Sequence, residues 1–105
     1  MSVIKATDID FQNRLKEQEK VIVKYYADWC GPCKLIAPKF KRFSDDERFK
    51  SISFLEVNAE KNPTARKLAG VDSLPFFAIF RNGEFVDGVS ASNEEYVLSL
   101  LEKLN

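Results

Sequence analysis

The 105-residue sequence has no histidine, only two cysteines, one tryptophan and one methionine. Four glycines and four prolines are spread along it, and no linker, repeat or low-complexity segment is present. Sixteen basic and sixteen acidic residues cancel without forming a block of one sign. That argues against nucleic acid or an anionic membrane as the main partner. The apolar runs are a handful of residues, far below the roughly 20 that span a bilayer. The opening MSVIKATDIDFQNRL is poor in apolar residues and carries two acids in its first ten, unlike a secretory signal or a transit peptide. The chain is therefore expected to be soluble and retained in the compartment where it is made, the cytoplasm; a monomer is expected as well.

What is present suits a compact unit. The length predicts a single domain over residues 1–105, burying roughly two thirds of its unfolded surface. With 45% hydrophobic residues and nine phenylalanines, its core should stand without cross-links. Val3–Ala6 is a short strand candidate. Asp8 reads as a helix N-cap ahead of Phe11 and Leu15. Val21–Ala27 is a buried strand by its β-branched and aromatic content. A helix follows over Pro32–Asp46, with Ile36, Phe40 and Phe43 inward and a kink expected at Pro38. Lys34, Lys39, Lys41 and Arg42 read as its solvated face, with contact to an acidic partner as the alternative, and SDDERFK as its end and a loop.

Ile52–Asn58 is the next strand. Asn62 and Pro63 start a short helix that Gly70 stops. FFAIF and EFVDGV flank RNG, a hairpin signal. A last helix presents Val97, Leu100, Leu101 and Leu104 as one stripe, capped by Ser92 or Asn93, with Glu94 and Glu95 in its first turn. The order β-α-β-α-β-α-β-β-α predicts an α/β fold with a mixed central sheet and helices on both faces.

Both cysteines fall in YYADWCGPCKLIAP, between a strand and a helix. As a staple, a four-residue loop would contribute on the order of 2 kcal/mol, and this core has no evident need of it. A structural zinc wants four ligands, and with two cysteines and no histidine its shell would need carboxylates or a second chain to be complete. Dithiol chemistry fits better. Cys30 lies near a helix N-terminus, whose positive end and free N–H groups favour a thiolate. The thiolate is the attacking species in disulfide exchange. Gly31 and Pro32 turn the chain so that Cys33, expected to be the more buried thiol, comes within bonding reach.

WCGPCK resembles the thioredoxin family, and the similarity continues through VNAEKNPTARKLAGVDSLPFFAIFRNGE to the closing helix. The resemblance implies a thioredoxin fold, with a five-stranded mixed sheet flanked by four helices. It implies protein-disulfide reduction, with Cys30 as nucleophile, Cys33 as resolving thiol, a Cys30–Cys33 disulfide in the oxidised state and Gly31-Pro32 tuning the potential. No bound cofactor is implied. Electrons would come from thioredoxin reductase, an NADPH-fed flavoenzyme, and go to oxidised protein substrates. Trp29 corresponds to the tryptophan bordering the site, a core position being its alternative. Pro75 corresponds to a proline after a cis bond, which offers the backbone of Leu74 to an extended substrate, an ordinary trans loop proline being its alternative.

Four positions depart from the family pattern. Lys24 stands where an aspartate is usual, and Glu56 where many members have lysine. Both facing inward would make an ion pair behind Cys33, with Glu56 accepting the Cys33 proton and Lys24 favouring its thiolate. The alternative is that Lys24 snorkels to an edge. Phe76 replaces a threonine, and Ala91 a glycine lining the substrate groove; both suggest either an altered substrate surface or simple packing variation. Rival readings are an oxidase or isomerase of the same fold, and a non-catalytic binding module, for which Lys24, Ala91, Phe76 and Phe77 are the supporting residues.

Overall fold

The computed structural model describes residues 3–105. Nine elements follow in chain order: β1 (Ile4–Lys5), α1 (Phe11–Glu17), β2 (Lys20–Tyr26), α2 (Gly31–Ser44), β3 (Ser53–Asn58), α3 (Pro63–Leu68), β4 (Phe76–Arg81), β5 (Glu84–Ser90) and α4 (Glu94–Leu104). The strands form one sheet in the order β1-β3-β2-β4-β5. β1, β3 and β2 run parallel, while β4 and β5 are antiparallel additions. The expected five-stranded mixed sheet with four helices is present.

Alternation along β2 divides the interior into two cores. Val21, Val23 and Tyr25 join Phe11 and Leu15 of α1 and Ala65 of α3. Ile22 joins Ile36 and Phe40 of α2 and the Val97, Leu100, Leu101, Leu104 stripe of α4. Covering both faces makes the central strands nearly continuous apolar runs, broken in β2 only by buried Lys24.

Several local devices match their residues. Asn82 and Gly83, at φ of 53° and 84°, supply the two left-handed positions of a tight hairpin turn. Gly70 ends α3 at φ 61°, and its N–H bonds to the Lys67 carbonyl at 3.1 Å. The Asn93 side chain caps α4 by accepting the Glu95 N–H at 2.8 Å.

Others differ. β1 is two residues rather than four, and α2 stops at Ser44 rather than Asp46. Glu47–Phe49, expected to be loop, is a 3-10 turn that buries Phe49. Asp8 does not cap α1, which begins after Asp10. Its carboxylate instead accepts the N–H groups of Thr64 and Ala65, at 3.1 and 2.8 Å, in the first turn of α3. The cap is real, but it serves a helix more than fifty residues away.

Candidate active site

β2 ends at Tyr26, and three residues later the chain turns into α2 with Cys30 as N-cap. Its extended backbone leaves the sulfur facing the open end of the helix, where Cys30 Sγ accepts the Cys33 N–H at 3.2 Å. Gly31 and Pro32 fill the first helical positions, where the missing proline N–H costs no helix bond. No acidic side chain lies in that first turn to oppose a negative sulfur. The two cysteines form a disulfide with Cα atoms 5.3 Å apart. Both are 2% exposed, so Cys33 is not the more buried of the two. Ala27, Tyr26 and Leu74 pack around the pair and close over Cys30 as well.

Opposite lies the Leu74–Pro75 bond, which is cis. The Pro75 carbonyl accepts the Ala91 N–H at 3.2 Å, tying this loop to the end of β5. Leu74 is half-buried against the cysteines. Its own N–H and C=O take part in no hydrogen bond among the described residues. Trp29 is 67% exposed and so is no core residue; its indole N–H donates to Glu60 Oε2 at 2.6 Å.

Phe76 does not contribute a side chain to this surface. Its ring turns inward against Tyr25, centroids 6.2 Å apart, while Phe77 enters the opposite core against Phe40. Both faces of β4 are covered, so each phenylalanine finds a core whichever way it points. Gly88 on β5 makes room: a Cβ there would lie 2.8 Å from the Phe76 ring.

Lys24 and Glu56 are register partners on β2 and β3. Lys24 Nζ lies 3.3 Å from Glu56 Oε2, with side-chain exposures of 6% and 20%. The ammonium also sits 5.5 Å from the Tyr26 ring centre and 5.7 Å from that of Phe40, within cation–π range. Lys24 thus points inward and does not reach solvent at a sheet edge. With Cys33, the pair lines a cavity of about 390 Å³.

Three neighbours were not read from the sequence. Tyr26 packs on the cysteines and lines the same cavity; burial first, then the Glu56 and Asp28 charges, raise its hydroxyl pKa above the usual phenol range. Lys5 is the register partner of Glu56 on its other side. Glu60 holds Trp29. The signal for Lys5 was available, since parallel β1–β3 pairing puts it level with Glu56; Glu60 had none, because its contact joins two loops.

The profile of the Thioredoxin family matches residues 2–103. The chain belongs to the thioredoxin family. It is 36% identical over 92 residues to thioredoxin-2 of Pyricularia oryzae, covering 88% of this chain and 53% of that protein. It thus spans about half the length of that relative. Thioredoxin 1 of Plasmodium falciparum is 30% identical over 103 residues, covering 98% of this chain and 97% of that one. A chain of the solved complex of ferredoxin:thioredoxin reductase with thioredoxin f2 is similar at TM-score 0.88 and 28% identity, over 97% of this chain and 94% of its own. With its Cys30–Cys33 pair, this thioredoxin-family chain is a thiol–disulfide oxidoreductase of the disulfide-reductase type. Among the described residues no cluster suits a metal ion, and no helix is long and apolar enough to cross a membrane.

Proposed function

We propose that the reduced chain cleaves disulfides of oxidised proteins by two successive exchanges. The Cys30 thiolate attacks one sulfur of the substrate disulfide; a mixed disulfide forms and the other substrate sulfur leaves. Cys33 then loses its proton and attacks Cys30 Sγ, closing the Cys30–Cys33 bond and expelling the second substrate thiol. Two electrons pass from the dithiol to the substrate. The observation that carries this reading is the Cys30 sulfur at the mouth of α2, accepting the Cys33 N–H, where a helix N-terminus favours the anion.

Glu56 is the acceptor for the Cys33 proton, directly or through water, and the Lys24 cation favours the Cys33 thiolate. Their shared cavity with Cys33 supports both roles. Substrate lies across Trp29, the Leu74–Pro75 backbone and Ala91, where the unused N–H and C=O of Leu74 can pair with an extended strand. Phe76 takes part through its backbone only. A reductase returns the electrons, as the similarity to a chain in a reductase complex supports, and the donor is an NADPH-dependent flavoenzyme. The chain works as a monomer in the cytoplasm, where thiols are kept reduced. The binding-module alternative loses the part of its support that rested on Phe76 and Phe77, whose rings are buried.

Insulin reduction tests the cycle. The wild type is expected to turn over, Cys30→Ser to be inactive, and Cys33→Ser to accumulate a mixed disulfide on Cys30. Substantial turnover by Cys30→Ser would overturn the assignment. Glu56→Gln is expected to slow reduction at neutral pH; an unchanged rate removes Glu56 from the mechanism.

A further inference from the structure

A second cavity, of about 570 Å³, adjoins the one beside Cys33. The two share Lys24, Lys34, Ala37 and Glu56 in their walls and form one groove along α2, from Cys33 to Lys41. At about 1.5 Å per helical residue that is about 12 Å, the length of about four extended residues.

The charge in this groove is unbalanced, although the chain as a whole is neutral. Glu56 is engaged by Lys24 at 3.3 Å, and Asp28 by Lys61 at 3.7 Å. Lys41 has Asp45 at 3.5 Å on its exposed side. Lys5 and Lys34, one on each wall, make no ion pair among the described residues. Between the charges the wall is apolar, built from Val3, Ala37 and Pro38.

We propose that this groove docks an acidic, extended segment of a protein substrate, flanking the disulfide that reacts at Cys30. It rests on the reductase reading and adds a substrate class to it. Lys5 and Lys34 meet the carboxylates, and the apolar wall takes the methylene stems. A small inorganic anion would leave most of a 12 Å trough unfilled. Charge complementarity of this kind acts on encounter and partner choice, and it weakens with salt.

The test is direct binding of a labelled, cysteine-free peptide with four consecutive Asp or Glu residues to the oxidised full chain, followed by fluorescence anisotropy. Saturable binding is expected, weakened about tenfold or more in Lys5→Gln/Lys34→Gln and kept in Lys5→Arg/Lys34→Arg. A second arm compares reduction of two disulfide peptides that differ only in acidic or neutral flanks. The acidic one is expected to react about tenfold faster at low salt, with the ratio approaching one at high salt or in the double Gln variant. Absence of binding, equal binding by the Gln variant, or displacement by inorganic phosphate as effective as by peptide overturns the proposal. Binding without reduction of either peptide upholds the groove and instead refutes the reductase reading.

Discussion

Lys24 Nζ lies 3.3 Å from Glu56 Oε2, between two adjacent parallel strands whose register sets the residues side by side. Each charge accounts for the other. Removing one partner strands a buried ion, which costs several kcal/mol when burial is complete and less here, where Glu56 keeps 20% exposure. Glu56→Gln is expected to destabilise by about 2 kcal/mol. Exchange of the charges in Lys24→Asp/Glu56→Lys is expected to recover most of that loss. Denaturant unfolding of the two variants checks this; a double variant less stable than Glu56→Gln would show that the pair does not act as a unit.

Phe76 and Gly88 form a second coupled pair. A methyl at Gly88 would meet the Phe76 ring at 2.8 Å, and a ring packed on Tyr25 has little freedom to retreat. Gly88→Ala should cost about 1–3 kcal/mol, and most of that should disappear in a Phe76→Thr background. Thermal midpoints of the four proteins in the cycle measure the coupling.

Asp8 joins the start of α1 to the first turn of α3 through two N–H bonds. Asp8→Ala should therefore cost about 1 kcal/mol and speed amide exchange at Thr64 and Ala65. If protection falls in α1 and not in α3, the bond pattern described above is wrong.

The same residue shows where sequence reading stops. That Asp8 caps a helix is legible from its type and place; which helix is not, because the partner arrives only through packing. The Lys24–Glu56 pair was legible through the family resemblance, as two positions whose charges depart from the usual pattern together; alternation along the strands allowed both to face inward, and only the structure excludes a lysine that snorkels to an edge. The inward turn of Phe76 was not. A strand covered on both faces has no polar alternation to say which side a ring takes. The active-site turn lies at the other extreme: the strand end and the helix start beside Cys30 match their residue types, whereas the cis bond before Pro75 was legible only through the family resemblance, since most X–Pro bonds are trans.

Asp10, like Asp46 and Asp87, is a carboxyl whose pKa is lowered by its partners, and it gives the stability a pH dependence. The Thr7 N–H and then the Arg14 guanidinium, which bind its carboxylate at 2.8 and 2.7 Å, hold its pKa below the usual range. A carboxyl lowered on folding adds stability above its unfolded pKa, about 3.9, and loses it as pH falls through the folded value. Asp10→Asn should thus lower the thermal midpoint at neutral pH. The gap should close as pH falls below about 3.9; a gap that persists in strong acid would mean that packing, not charge, is responsible.

Disulfide reduction by this chain requires the sulfur of Cys30 to be the reactive one, and alkylation of the reduced protein tests this directly. Iodoacetamide labelling, mapped by mass spectrometry across pH, is expected to modify Cys30 first, with a midpoint below the value of about 8.5 for a free cysteine. Labelling of Cys33 first, or of both thiols only in the range of free cysteine, would contradict it.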